Sequence, residues 1–499
     1  MHTTKLPRRR PEEAGIDPRG ILDFLDAVSE EQFDLRSFML LRRGEVAAEG
    51  WWAPHASEDR HAMYSVSKSF TSTAVGLAVD EGLLNVEDKV AELMPELMPT
   101  DPDTLLLKMT VHDLLVMGTG HREDPLNAVR PIPDSDWART FLSANVENVP
   151  GSVFSYSSGA TYMLSVILQK LTGQKILDYL ESRLFAPLGI QRKTWQESPQ
   201  DITAGGWGLK LSSEDLAKFG QLYLQKGMWN GQRIISENWV ELASSKRIDT
   251  GDDKDGDWTR GYGYQFWLCR HNAYRADGAF GQFCLILPEQ EAVIVLTSAI
   301  SRTQELLEAV WRHLLTAMHN GPLALNTAGE KAAERLQALE YASDPAGEVP
   351  ANEPWSGRLY RLDGELGGGP KLEAARFTAD EDGSVLVELW EAGDKAADSR
   401  EAREHAITLR CGAGEWRRTE TKVPPGSSTL APDTGPAHGW ASRYADGSLR
   451  LVIRFAEEPI VLNFTAVFDG DTIILTEHGS RELGREQASV TGLAKTFPE

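Results

Sequence analysis

The chain has 499 residues, beyond the roughly 250–300 at which a single hydrophobic core stops growing, so more than one domain is expected. Hydrophobic residues at 41% and charged residues at 25% exclude a wholly disordered chain. The 51 Lys and Arg stand against 74 Asp and Glu, a net charge of −23, which argues against nucleic acid as a partner because phosphates demand a basic face.

Three cysteines, Cys269, Cys284 and Cys411, cannot build a dense disulfide framework, and their odd number leaves one unpaired. They lack zinc-site spacing. His-Glu-x-x-His, Cys-x-x-Cys and the phosphate-cradling Gly-x-x-x-x-Gly-Lys-[Ser/Thr] are absent, so no metal or other cofactor is expected. The N-terminal stretch is basic but has no apolar core of signal-peptide length. No run approaches 18 apolar residues, so no membrane span is expected. These features together lead us to expect a cytoplasmic protein with buried thiols. Oligomeric state is not readable.

Residues 36–52 predict two strands around a turn at Arg43-Gly44. Residues 65–84 predict a helix with Val66, Phe70, Ala74, Leu77 and Ala78 on one face and Gly82 as its stop. Helices are expected at 110–117 and 160–173, with breaks at Gly118, Gly120 and Pro131/Pro133. Ser212 and Asp215 open a helix carrying Leu216, Phe219, Leu222 and Tyr223 as an apolar stripe. From 261 to 300 the pattern predicts three strands, 261–269, 273–287 and 292–300, followed by a closing helix at 303–318.

Residues 319–355 read as a helix plus linker containing Pro345, Pro350 and Pro354. Short alternating strands follow, with Asp-Gly turns at 363, 382, 446 and 469. Gly367, Gly368 and Gly369 read as a loop tip, and 421–437 as a Pro/Gly/Ser-rich loop expected to be mobile. The expected fold class is α+β: an antiparallel sheet flanked by helices, with a mostly helical subdomain at about 85–205 between its first and last strands, then an all-β barrel-like domain. The expected boundaries are 1–330, a linker at 331–355, and 356–499.

Ser65-Val66-Ser67-Lys68 at a helix start is the sharpest chemical feature. Residues three apart share a helix face, so the Ser65 hydroxyl and Lys68 amine can meet. Serine becomes nucleophilic when a base takes its proton, and lysine serves if burial lowers its pKa. The helix N-terminus also favours negative charge and offers free N–H groups. Alone, the tetrapeptide is a weak signal, since a serine at a helix start is more often just a cap; Ser67, Ser69 and Ser72 read as surface or packing serines. A second feature, Pro150 to Gly159, presents Tyr156 and Ser158 together, and a tyrosine near a lysine can share proton traffic; the alternative is a packed tyrosine. The third is Arg275-Ala276-Asp277-Gly278-Ala279-Phe280-Gly281-Gln282, whose two glycines suggest close approach of a ligand or a β-bulge. Arg275 is expected to face the same way as Asp277 only after a bulge.

The order and separation of these blocks resemble the serine β-lactamase / penicillin-binding-protein superfamily, within it the class C-like branch of esterases and nylon-oligomer hydrolases. The resemblance spans about residues 10–320 and also includes MTVHDLLVMGTGH (109–121) and GGWGLKLSSEDLAKFGQLYL (205–224). It implies Ser65 as acyl-enzyme nucleophile and Lys68 and Tyr156 as acid and base, with the first proton acceptor left open between them. It implies an oxyanion hole from the backbone of Ser65 and Ala279, and substrate contacts from Ser158, Asp277 and Gly278. Trp207 and Trp267 lie near these blocks and could line an acyl pocket or sit in the core.

The chain departs from the family pattern at two places. Ala276 stands where the cation of Lys-[Ser/Thr]-Gly would be, and Tyr-Ser-Ser replaces Tyr-x-Asn. The resemblance therefore implies a serine hydrolase whose small-molecule partner is a neutral ester or amide substrate, with β-lactams or D-amino-acid peptides as alternative substrates. A non-catalytic binding protein on the same fold is the alternative of another class.

Overall fold

A computed structural model of the chain describes all residues except 1–4, 131, 133, 254–255, 342–346, 348, 364–371, 392–406, 425–433, 479–487 and 495–499. The chain divides into two compact units. The first comprises Met1–Trp51, Ser57–Ser298 and Arg302–Leu339, and the second Trp52–Ala56, Ala299–Ser301 and Glu340–Glu499. The Thr327–Gln337 helix, which spans residue 330, lies in the first unit.

The first unit is built on strands β1 (Leu35–Arg42), β2 (Glu45–Trp51), β7 (Trp267–Leu268), β8 (Tyr274–Gly278), β9 (Gln282–Leu287) and β10 (Ala292–Ser298). They form one antiparallel sheet in the order β2-β1-β10-β9-β8-β7. Two minor pairs, β3 (Arg60–Ala62) with β4 (Lys210–Ser212) and β5 (Met228–Trp229) with β6 (Gln232–Arg233), lie outside it. β1, β9 and β10 are buried along their whole length, as expected of strands covered on both faces. The β1–β2 hairpin turns at Arg43 and Gly44, both at positive φ (51° and 83°), the hand that matches strand twist.

Between the first and last strands the chain is mostly helical, as expected. The helix at the anticipated position runs Ser67–Asp80 after a 3-10 turn at Tyr64–Val66. It does not present one apolar face: every residue from Ser67 to Ala78 is buried. Phe70 stacks on Phe219 at 3.9 Å. Several of its buried polar side chains are satisfied by neighbouring backbone, though Ser72 Oγ has no hydrogen-bond partner. Ser69 donates to the Gln265 carbonyl at 2.7 Å, Thr71 to Gly205 at 2.9 Å, and Ser67 accepts from the Leu209 N–H at 3.2 Å.

Two strand expectations need correction. Residues 261–269 are strand only at Trp267–Leu268; the rest is irregular, with Gln265 at φ +64°. Residues 273–287 are not one strand but β8 and β9, folded into a hairpin at Ala279-Phe280-Gly281, where Phe280 and Gly281 have φ +63° and +79°. The two glycines of this stretch thus serve a turn and a close approach, not a bulge.

The second unit is a β-barrel. Its strands are β11 (Leu359–Asp363), β12 (Leu372–Ala379), β13 (Val385–Glu391), β14 (Ile407–Ala413), β15 (Arg417–Lys422), β16 (Thr434–Arg443), β17 (Leu449–Phe455), β18 (Val461–Asp469), β19 (Thr472–Glu477) and β20 (Ala488–Ala494). The order β14-β13-β12-β11-β20-β19-β18-β17-β16-β15 closes through a parallel β14–β16 pairing. β17, LRLVIRF, alternates buried and half-buried residues, as a barrel wall must. The loop expected at 421–437 is shorter, because β15 runs to Lys422 and β16 starts at Thr434. The Gly367–Gly369 tip, Gly364, Pro131, Pro133 and Pro345 lie outside the described residues. All three cysteines are buried and unbonded. No helix among the described residues is long and apolar enough to cross a membrane.

One buried carboxylate ties β7's flank to the closing helices. Asp257 accepts from the Arg270 N–H at 2.9 Å and guanidinium at 2.8 Å, from Gln304 at 3.0 Å and from the Trp311 indole at 3.0 Å. Burial raises its pKa, but Arg270 and the other donors outweigh that and hold it at about 2. A carboxylate depressed in the folded state stabilises above its unfolded pKa and loses that contribution as pH falls towards 2. Asp257→Ala is therefore expected to cost about 3 kcal/mol at pH 7 in urea unfolding, with the difference from wild type shrinking as pH falls below about 4.

Candidate active site

The site forms where the Ser67–Asp80 helix, the Ser158–Thr172 helix and the end of β8 converge. The chain enters the first through Tyr64 at φ +48°, an uncommon conformation for a residue with a side chain. The Tyr64 ring meets Phe280 edge-on at 5.2 Å, linking the entrance turn to the β8–β9 hairpin. Ser65 follows in the opening turn and Lys68 lies three residues on, on the same face.

Lys68 Nζ is 3.1 Å from Ser65 Oγ, 3.1 Å from Ser158 Oγ and 2.7 Å from the Gly206 carbonyl. A neutral amine fits this set: two N–H groups donate to Gly206 O and Ser158 Oγ, and the lone pair accepts the Ser65 proton. Burial lowers the Lys68 pKa to about 7. Asp124 and Asp277 act against this by favouring the ammonium, while Arg130 adds to it. The lysine thus reaches neutrality because desolvation outweighs two nearby carboxylates.

The Ser158–Thr172 helix brings the second pair of residues. Asp124 fixes its start: its carboxylate accepts from the Ser158 N–H at 2.8 Å, the Gly159 N–H at 3.1 Å and the Ser157 hydroxyl at 3.1 Å. An anion at a helix N-terminus meets both free N–H groups and the positive end of the dipole. Tyr156, just ahead of this cap, places its ring 4.9 Å from the Lys68 ammonium position and stacks on Trp267 at 5.7 Å. The residue is 37% exposed, while its hydroxyl end is enclosed near Ser65. That enclosure pushes the phenol's pKa well up, the neighbouring Ser65 only partly opposing it.

β8 forms the third wall. Gly278 is required by proximity: a Cβ there would stand 2.3 Å from the Met63 carbonyl, two residues before Ser65. Ala279 follows in the turn whose Phe280 touches Tyr64. Arg275 Nε donates to Asp277 Oδ2 at 2.7 Å. The two share a face with no bulge, because positions two apart in a strand point the same way and the β8–β9 register is continuous; the expected need for a bulge is corrected. Burial raises the Asp277 pKa and Arg275 counters it, with Lys68 adding to Arg275's effect. Ala276 is fully buried on the opposite face.

Ser65, Lys68, Tyr156 and Ser158 are thus brought into contact, and Asp277 and Gly278 border them. Trp207 sits differently: it is 5% exposed and packs on Trp137 at 5.5 Å with Arg130 over its face. Its neighbours Gly205 and Gly206 are closer to Lys68. Gly205, at φ +68°, would place a Cβ 2.1 Å from Ser165 Oγ, so only glycine lets the Gly206 carbonyl reach Lys68. Sequence reasoning singled out neither Gly206 nor Asp124. The run Gly205-Gly206 was a local signal for close approach, whereas Asp124 lies 34 residues from the Ser158 it anchors and carries none. Among the described residues no group of three His, Cys, Asp or Glu is placed to hold a metal.

A family model described as Beta-lactamase matches residues 35–318. The 6-aminohexanoate-dimer hydrolase of Paenarthrobacter ureafaciens is 30% identical over 288 residues, covering 53% of this chain and 72% of that protein. Penicillin-binding protein 4 of Amycolatopsis lactamdurans is 25% identical over 292 residues, 50% of this chain and 75% of that one. The solved structure of the octameric penicillin-binding protein homologue from Pyrococcus abyssi has the same fold at a TM-score of 0.50 and 16% identity, covering 95% of this chain and 100% of that one.

The close approach at Gly278 yields a direct test. Gly278→Ala is expected to slow fluorophosphonate labelling of Ser65 by about 100-fold, the cost of an ångström-scale displacement at a reacting centre, with near-UV circular dichroism retained. Wild-type labelling in this variant would contradict the geometry.

Proposed function

The chain belongs to the Beta-lactamase family, whose relatives here include hydrolases, and from that premise we propose a serine hydrolase that forms an acyl-enzyme on Ser65 from small esters or amides. The observation that carries this reading is the Lys68 amine, buried, lowered to about pKa 7 and 3.1 Å from Ser65 Oγ. At neutral pH a large share of it is unprotonated and able to take the serine proton.

In the proposed cycle Lys68 removes the Ser65 proton as Oγ attacks the carbonyl carbon. The oxyanion that forms is met by the backbone N–H groups of Ser65 and Ala279. Tyr156, whose raised pKa keeps it a phenol, donates its proton to the leaving alcohol or amine and regains one from Lys68. Water then cleaves the ester on Ser65 by the same groups in reverse, restoring the free serine. The raised tyrosine and lowered lysine pKa values favour Lys68 over Tyr156 as first acceptor, since the phenol, the weaker acid of the pair, keeps its proton while the amine is free to accept one. Ser158, Gly278 and Asp277 border the bound substrate, and Trp207 supports that wall from behind through its neighbour Gly206.

The small-ester preference rests on Ala276: a buried methyl offers nothing to a substrate carboxylate of the kind penicillins carry. Names of more distant relatives, such as the D-aminopeptidase of Brucella anthropi at 26% identity over 171 residues, keep D-amino-acid amides among the candidates. We assign the barrel an accessory role, because every residue proposed for chemistry lies in the first unit. Three buried, unbonded thiols support a reducing, cytoplasmic location.

A fluorophosphonate probe read by intact mass tests the acyl-enzyme reading. One adduct on wild type that vanishes in Ser65→Ala is expected, with labelling of Lys68→Met slowed at least about 1,000-fold; no adduct on wild type would overturn it. Turnover of p-nitrophenyl esters is expected to exceed that of cephalosporins by orders of magnitude, and comparable rates would reject the role given to Ala276.

A further inference from the structure

Gln265 stands out in the segment that leads into β7. It is buried and holds φ +64°, a conformation uncommon for a residue with a side chain. Such a backbone persists only where its surroundings over-determine it, and hydrogen bonds from both its main chain and its side chain do so here. Its backbone carbonyl accepts from Ser69 Oγ at 2.7 Å, and its Oε1 accepts from Thr161 Oγ1 at 2.7 Å. Its Nε2 donates to the Leu114 carbonyl at 3.2 Å and to the Leu115 carbonyl at 2.8 Å. Only the NH2 side of an amide can meet two carbonyls, which settles how the side chain is turned.

These bonds reach the segments that carry the site. Ser69 adjoins Lys68 in the Ser67–Asp80 helix, and Thr161 lies one turn beyond Ser158 in the Ser158–Thr172 helix. Leu115 ends the Val111–Leu115 helix, and just beyond it the Met117 carbonyl accepts from the Ser155 N–H at 2.8 Å, next to Tyr156. From the same segment as Gln265, Trp267 stacks on the Tyr156 ring. We propose that Gln265 is a positioning residue whose hydrogen bonds fix the spacing of these segments and so hold the Lys68 amine against the Ser65 and Ser158 hydroxyls. Its consequence for turnover rests on the acyl-enzyme reading; its consequence for the amine does not. The Lys68–Ser158 contact at 3.1 Å runs between two helices that Gln265 joins, so a separation of about an ångström breaks it. The amine then loses one of the bonds that aim its lone pair at Ser65 Oγ, and water gains a path to it.

Gln265→Met keeps an unbranched side chain of similar length and removes the amide, while Thr161→Val severs only the link to the Ser158–Thr172 helix. Thr73→Val is the control for simple destabilisation. Its hydroxyl is buried on the Lys68 helix but bonds Tyr223 and the Ser69 carbonyl, which joins no second site segment. Two readings are taken on each folded protein: the rate of fluorophosphonate labelling and the NMR titration midpoint of Lys68. Gln265→Met is expected to slow labelling at least about tenfold and to raise the midpoint, because water readmitted to the amine favours the ammonium. Asp124, Asp277 and Arg130, the charged groups that act on Lys68, and Tyr156 are unchanged in every variant, so the midpoint reports the cover over the amine. Thr161→Val is expected to move both readings the same way, and Thr73→Val neither. Wild-type rates and midpoints in Gln265→Met and Thr161→Val overturn the proposal, as does an equal effect of Thr73→Val. If Gln265→Met does not fold, Thr161→Val decides by itself. A wild-type protein that takes no fluorophosphonate overturns the acyl-enzyme reading instead, and the Lys68 midpoints, which need no reaction, still decide the role of Gln265.

Discussion

A lysine amine must be kept out of water and next to a serine hydroxyl, and most of the first unit's local structure follows from that requirement. Removing an ammonium from water is costly enough that the group gives up its proton instead. Three oxygen partners then hold the amine in place: the Gly206 carbonyl, Ser158 Oγ and Ser65 Oγ. None of them is a carboxylate. A direct Asp or Glu partner would restore the ammonium. The carboxylates that do act on Lys68, those of Asp124 and Asp277, are each occupied elsewhere, by the helix cap and by Arg275. Their influence is real but too small to reverse desolvation.

The same requirement explains the backbone. A helix buried on every side is the simplest way to enclose Lys68, and Ser69 and Thr71 make that burial more tolerable by bonding the segments that cover it. The covering segments must come very close, and glycine provides the approach on two sides, at Gly205-Gly206 over the amine and at Gly278 beside the turn before Ser65. Strain sits at Tyr64, whose positive φ aims the following serine. Position of the Ser65 hydroxyl and proton affinity of the Lys68 amine are thus set by one packing arrangement.

Much of this was legible in the residues. The β1–β2 hairpin, the helix at 160–173, the Ser212-capped helix and the barrel's alternating strands carry periodic or turn signals, and the structure contains them. Ser65, Lys68, Tyr156 and Ser158 were legible through motif order, and they meet within hydrogen-bond or ring-contact distance. What was not legible depends on tertiary cover. The one-faced reading of the helix at 65–84 failed because small hydroxyl residues look exposed in sequence yet are satisfied by distant backbone. The single strand at 273–287 failed because Ala279-Phe280-Gly281 has no Asn-Gly or Asp-Gly signal at its turn. Arg275 was placed on the wrong side of Asp277 although strand alternation alone puts them together. Asp124's role was invisible because nothing local links it to the helix it caps.

The central claim is that burial leaves Lys68 a base at neutral pH. Its most direct measurement is the titration of the Lys68 side chain in the intact protein by heteronuclear NMR, assigned through Lys68→Met. The structure predicts a midpoint near 7, with the unprotonated amine increasing as pH rises through that value. A midpoint near 10, the value of a lysine in water, would contradict it.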